Sequence, residues 1–286
     1  LIDRQAEMTV KIGTNLEEIS PAFIETILPC VDLVEVVPDT LARKGESGEA
    51  VIPKETLDCL AALAQQVTIT LHGVGLSLGT ARGWNPAYFR LLDQLLDVVP
   101  VAWHSEHLGF THVDGQFTGS MLSLPRTQEA LDLVVERICR MRERYPLPFL
   151  LENIVNLLPD PPAEMTEALF LNQITRHSGC DLLLDIYNLR CNAHNQAYDI
   201  ADCLEHLDLG RVREIHIAGG VERAGLMLDV HAKRSQAETR NLLAKVLPRC
   251  PNVEAVVYEV MSQSVPSLGY AAWSDELSDL RELALS

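Results

Sequence analysis

His72, His107, Glu152, Asp185, His216 and Glu259 lie far apart in the chain, yet each follows or ends a short β-rich run. Imidazole nitrogen and carboxylate oxygen are ligand atoms for metal ions of intermediate softness. With both types present and no cysteine among them, the set suits iron, manganese or zinc better than calcium. Such groups facing one cavity without partners would be strongly unfavourable, and bound cations relieve that cost. Asn188 follows Asp185 by three residues and adds an amide oxygen. In LDVHA (228–232), Asp229 and His231 alternate, and an extended backbone points both to one side. A helix start capped by Asp229 is the plain alternative. One histidine at a strand end is more often a satisfied core or surface residue. The weight therefore rests on so many at one end.

Other polar residues compete less well. In WHSEHLGF (103–110), His104 and Glu106 share one strand face, and His107 lies on the other or just past the end. His107 is the favoured ligand. Glu35, near the end of the second strand-like run, is a weaker candidate, and Glu259 has the alternative of pairing with an arginine. His112, His177, His194 and His206 read as surface or loop residues, and Cys191 as a packed thiol. The glycines of LHGVGLSLG (71–79) fit a tight turn after a strand and match neither a P-loop nor a dinucleotide fingerprint.

Eight strand-like runs carry these residues, at roughly 9–13, 32–37, 67–72, 101–106, 148–152, 181–186, 213–217 and 254–259. Most are apolar and β-branched, as buried parallel strands are. Between them lie stretches of helical period such as 53–66, 87–99 and 126–145. Eight strand–helix units predict a closed TIM-type (β/α)8 barrel, whose chemistry sits at the C-terminal strand ends. Residues 1–286 read as one barrel domain, with 1–8 an N-terminal extension and Met8 a candidate start. LPDPPA (158–163) reads as a loop after the fifth strand.

The net charge of −17 makes nucleic acid a poor partner. No apolar run reaches the length of a membrane span, and the N-terminus lacks the apolar stretch of a signal peptide. Seven cysteines without a CxxC pair read as reduced thiols of a cytoplasmic protein.

Together the motifs resemble the multinuclear non-heme iron-dependent oxidative enzymes, long catalogued as a domain of unknown function. The resembling stretches are HGVGLSLG (72–79), SEHLGF (105–110), LLENI (150–154) and LLLDIYNLRCNAHN (182–195). EIHIAGG (214–220), LDVHA (228–232) and YEV (258–260) complete the series. The resemblance implies a xylose-isomerase-like barrel holding two or three irons in mixed ferrous and ferric states, with O2 as co-substrate. It implies His72, His107 and Glu152 at one iron. Glu152 would bridge to a second, held with Asp185, His216 and Glu259. Asn188, Asp229 and His231 would form a more labile third site. It further implies oxidation of a residue, with cysteine favoured, in a ribosomally synthesised precursor peptide, as in methanobactin-type and 3-thiaglutamate-type pathways. A small partner protein that binds the leader peptide is expected.

The chain departs from that pattern in two places. Tyr187–Asn188 stands where relatives often read NN, and Asn195–Gln196–Ala197 where they often read NHG. The loop histidine is then missing or displaced to His194. The rival readings are a zinc-dependent barrel hydrolase or endonuclease, a sugar isomerase, and a metal-bound binding scaffold. The charge weighs against a DNA substrate. An isomerase wants a lysine near the metals, and only Lys11 and Lys233 lie near predicted strand ends.

Overall fold

The computed structural model describes residues 9–156, 163–196 and 198–285. The expected extension at 1–8, with Met8, and nearly all of the 158–163 loop lie outside them. Eight parallel strands close into a barrel: β1 (Lys11–Leu16), β2 (Leu33–Val36), β3 (Thr68–Gly73), β4 (His104–His107), β5 (Phe149–Glu152), β6 (Asp181–Asp185), β7 (Val212–Ile217) and β8 (Ala255–Tyr258). Their order around the barrel is sequential, and β8 pairs with β1. The chain folds as a TIM-type (β/α)8 barrel.

All eight expected strands are present, with edges displaced. β1 runs on past Gly13 through Thr14, Asn15 and Leu16, all of them buried. β4 begins at His104, although Ala102 N–H already donates to Ile69 O and Leu71 N–H to Trp103 O. Strand ends of this kind shift with the definition of pairing.

Helices cover the outside, and their starts are written in the sequence. The helix Pro86–Leu96 opens with Asn85, whose side chain accepts from Ala87 N–H, and with Pro86 in its first turn. The helix Gln128–Arg144 opens with Thr127 accepting from Ala130 N–H. It buries Leu131, Val134, Ile138 and Met141, one stripe at helical spacing. The helix Glu167–Ser178 ends on Gly179 at φ 70, a left-handed turn that glycine adopts without strain.

The main core lies between barrel and helices. A second, separate core of Leu33, Trp103, Leu150, Leu183, Ala255 and Val257 fills the barrel interior. Side chains alternate along a strand, so the same face reappears two residues later. From Leu33, Trp103, Leu150, Leu183 and Val257 that step leads to Glu35, Ser105, Glu152, Asp185 and Glu259. An apolar floor and a polar ceiling thus sit one strand repeat apart.

Two hairpins rise from the C-terminal strand ends. Gly109–Val113 pairs with Gln116–Ser123 after β4, and Val221–Arg223 with Leu226–Leu228 after β7. Each turns through two residues of positive φ, Asp114–Gly115 and Ala224–Gly225. Among the described residues, no helix is long and apolar enough to cross a membrane.

Candidate metal centre

The polar ceiling brings the six strand-end residues together. His72 Nε2 and His107 Nε2 lie 3.3 and 3.0 Å from the same oxygen, Glu152 Oε2. The other oxygen, Glu152 Oε1, faces His216 Nδ1 at 3.4 Å. His216 Nδ1 is also 3.1 Å from Glu259 Oε2. One ligand atom from each of His72, His107 and Glu152 lies within 4.8 Å of the others, and the same holds for Glu152, Asp185, His216 and Glu259. Glu152 therefore belongs to two groups and turns one oxygen to each.

The loop residues close the ring. His231 Nε2 is 2.6 Å from Asp229 Oδ1 and 3.6 Å from Glu259 Oε2. They do not meet by strand alternation. Leu226–Leu228 ends before Asp229, and His231 sits at φ 40, a conformation uncommon outside glycine. Gly219 supports this bend: its carbonyl accepts from Ala232 and Lys233 N–H, and a Cβ there would run into the carbonyls of Lys233 and Arg234. Asn188 is held by its N–H to Asp185 Oδ1 and its side-chain NH2 to Asn153 O, which leaves Oδ1 without a partner.

Hydrogen bonds to the ring nitrogens fix which one is free. Ser105 Oγ donates to Leu71 O and so accepts from His72 Nδ1–H, at 2.8 Å. His107 Nδ1–H donates to Gly73 O at 2.8 Å. Both rings therefore turn Nε2 to the cavity, the outer-partner arrangement usual for metal-binding histidines. Gly73 has its own reason to be glycine. A Cβ there would collide with Glu106 Oε1 and Tyr88 Oη behind the strand.

What the groups lack is as informative as what they have. Glu152 Oε2, Asp185 Oδ2, Asn188 Oδ1, His216 Nδ1, Asp229 Oδ1 and His231 Nε2 are buried and make no hydrogen bond of good geometry, and those of Glu152, His216, Asp229 and His231 approach only other members of the ring. Buried polar atoms are nearly always partnered. Six such ligand-type atoms in one buried ring fit a cluster of cations.

The electrostatics describe the same crowding. Burial opposes a charge on His72, but Glu35 and Glu152 outweigh it and raise the ring to about 9. His216 is raised well above its ordinary value, by Glu259 and Glu35 against burial, and His231 by Asp229 and Glu259. Burial also opposes ionisation of Glu259, yet His216 and His231 lower it to about 2. Asp185 moves the other way: burial, then Asp229, Glu152 and Glu259, push it well above the carboxylate range. Without cations, protons take their place.

The family model of the RiPP precursor modification enzymes MbnB/TglH/ChrH matches residues 12–283. The chain belongs to this family. RiPP denotes a ribosomally synthesised and post-translationally modified peptide, so the family modifies peptide precursors. A UPF0276 protein of Anaeromyxobacter sp. is 32% identical over 241 residues, covering 84% of this chain and 82% of its own length. A second, of Acaryochloris marina, is 32% identical over 245 residues, covering 86% of each. Among solved structures, the IolI protein with a binding zinc atom aligns at TM-score 0.61 and 14% identity, covering 96% of this chain and 97% of its own. D-psicose 3-epimerase of Clostridium cellulolyticum H10 aligns at 0.58 and 15%, with the same coverage. At that identity the likeness is one of fold.

The remaining candidates fall elsewhere in this family member. His104 and Glu106 face the helix layer, where His104 Nε2 meets Glu106 Oε1 at 3.0 Å and Tyr88 Oη at 3.1 Å. Glu35 lies beneath His216 rather than around the cavity, 3.2 Å from its Nε2. His112 packs on Phe117 of its hairpin, His177 and His206 lie on exposed helix faces, and His194 bonds to Gly225 O. Cys191 is buried in a small cluster with Tyr187, Ala218 and Met227. Ser105 is not singled out by the sequence, and Asn153 is marked there only as the residue that follows Glu152. The place of Ser105 one repeat above Trp103 of the apolar floor is the signal that could have found it.

Proposed function

We propose that this chain is an iron- and O2-dependent oxidase that modifies a residue, with cysteine favoured, in a ribosomally made precursor peptide. The observation that carries the metal part is the buried ring of clustered imidazole and carboxylate atoms that lack hydrogen bonds of good geometry. Family membership carries the peptide part. His72, His107 and Glu152 hold one ion. Glu152, Asp185, His216 and Glu259 hold the second, and Asn188, Asp229 and His231 the third. Iron bound there supplies the redox chemistry with O2. The chain's own share is placement: Ser105 and Gly73 O orient two imidazoles, and Asn153 ties the ends of β5 and β6 by bonds to Asp185 N–H and O.

A small partner protein presents the leader peptide in this reading. The working place is the cytoplasm, where the free thiols of Cys30, Cys59, Cys139, Cys180, Cys191, Cys203 and Cys250 stay reduced. The test is elemental analysis with Mössbauer spectroscopy on protein from iron-supplemented cells. Two or three irons per chain in mixed oxidation states support the reading. Stoichiometric zinc without iron, even after anaerobic preparation, overturns it in favour of a hydrolase or isomerase.

A further inference from the structure

Beneath the ligand ring, a second polar group that includes Glu35 of the ceiling is sealed inside the barrel. Glu35 on β2, and Glu214 and His216 on β7, are all 0% exposed. His216 Nε2 is 3.2 and 3.3 Å from the two oxygens of Glu35 and 3.9 Å from Glu214 Oε1. Glu214 Oε2 accepts from Trp103 Nε1–H at 2.7 Å, and Trp103 belongs to the apolar floor. The column thus runs from floor to ceiling: Trp103, Glu214, Glu35, His216.

His216 differs from the other two strand-end imidazoles. His72 and His107 turn Nε2 to the cavity and bond to neutral acceptors through Nδ1. His216 turns Nδ1 to Glu152 and Glu259, and its Nε2 points down at a carboxylate. Only one nitrogen of a neutral imidazole carries the proton, so the partner of one decides the role of the other. A carboxylate below Nε2 keeps the proton there and leaves the Nδ1 lone pair facing the cavity. An anionic partner also makes the ring a stronger donor.

The geometry points to Glu35 as a positioning residue that fixes His216 as an Nδ1 ligand, with Glu214 and Trp103 as its footing. This rests on the metal-centre reading above and adds a function for a residue outside the cavity. Two carboxylates and an imidazole also have the composition of a cation site. Trp103 N–H already occupies Glu214 Oε2, and His216 already turns its other nitrogen to the ring, so the column is read as a support.

The experiment compares wild type with Glu35→Gln and Glu35→Leu, loading each metal-free chain with Fe(II) under anaerobic conditions. Gln keeps the shape and an acceptor but loses the charge, and Leu loses both. Iron per chain, affinity and Mössbauer parameters are measured, with circular dichroism as the fold check. Outer-partner changes at metal-binding histidines cost roughly 10- to 100-fold in affinity. The expected order is wild type, then Gln, then Leu, with about that spread. The quadrupole splitting of one iron should change while the ion at His72 and His107 keeps its signal. Unchanged affinity and unchanged spectra in the folded Gln variant overturn the inference. If wild type itself takes up no iron, the metal-centre reading fails, independently of either variant.

Discussion

Both ends of the barrel are crowded with charge, and they resolve it in opposite ways. At the N-terminal end, Asp181, Arg211, Arg213 and Glu254 pair among themselves. Arg213 Nε is 3.2 Å from Asp181 Oδ2, Arg213 Nη1 is 3.5 Å from Glu254 Oε1, and Arg211 Nη1 is 3.7 Å from Asp181 Oδ1. These side chains are part-exposed and neutralise one another. At the C-terminal end, the ion pairs of the ring involve only histidines and carboxylates among the described residues. One end carries its own cations. The other gathers anions and imidazoles without Arg or Lys in its ion pairs, and the proposed function puts metal ions there.

Glu152→Ala tests that contrast hardest, because Glu152 serves both groups of the ring. The variant should lose both of those metal ions, and activity with them, while circular dichroism shows an intact barrel. Retention of full metal content would break the comparison. Gly73→Ala comes next. The added methyl has to displace Glu106 or Tyr88, so about 1–3 kcal/mol of stability should go, read as a lower denaturant midpoint. His107 should lose metal affinity as its carbonyl partner shifts. Asp229→Ala should be milder at the ring, removing at most one ion and leaving the other two, as counted by elemental analysis.

The pH dependence sharpens the same contrast. His72 is raised from 6.5 to about 9 in the metal-free chain. Its contribution to stability is complete below about 6.5 and is lost as pH rises through about 9. Asp185, also raised, acts in the same direction. Glu259, lowered to about 2, contributes above the ordinary carboxylate range and loses that as pH falls through about 2. Metal-free protein should therefore melt at lower temperature at pH 9 than at pH 6.5. Metal-loaded protein, whose imidazoles have already given up their protons, should not show that fall. Metal affinity should rise over the same window, by about tenfold per pH unit for each proton displaced. A flat affinity would mean that the protons and the metals do not share sites.

Much of this contrast was legible in the residues. The floor and the ceiling are one pattern, an apolar residue followed two places later by a ligand-type residue, as in Leu150–Glu152 and Leu183–Asp185. That period is local, so a reader can see it without knowing the pairing. What was not legible depends on contacts across the barrel. Glu35 carries the same signal as Glu152, but its place under His216 is set by packing between strands far apart in sequence. His104 lies one residue out of phase with Ser105, and only the position of Tyr88 shows that it faces the helices. The bend at His231 replaces the expected alternation, because Gly219 lets two backbones approach closely. The hairpin after β4 carries a readable Asp114–Gly115 turn signal, between two short strands that are not among the eight strand-like runs.

The smallest effect is expected where the charge is already paired. Arg213 is part-exposed, and such surface pairs contribute about 0.2–1 kcal/mol each. Arg213→Ala should lower the melting temperature by a few degrees at most and leave metal content and affinity unchanged. The reason is distance along the strand as well as solvent. Arg213 is the second residue of β7, and the buried Glu214 and Ile215 separate it from His216, with Trp103 fixed to Glu214 between the two ends. If the substitution nonetheless lowers metal affinity, β7 transmits strain from its exposed start to its ligand end. The two ends of the barrel would then be one cooperative unit rather than two independent solutions to the same charge problem.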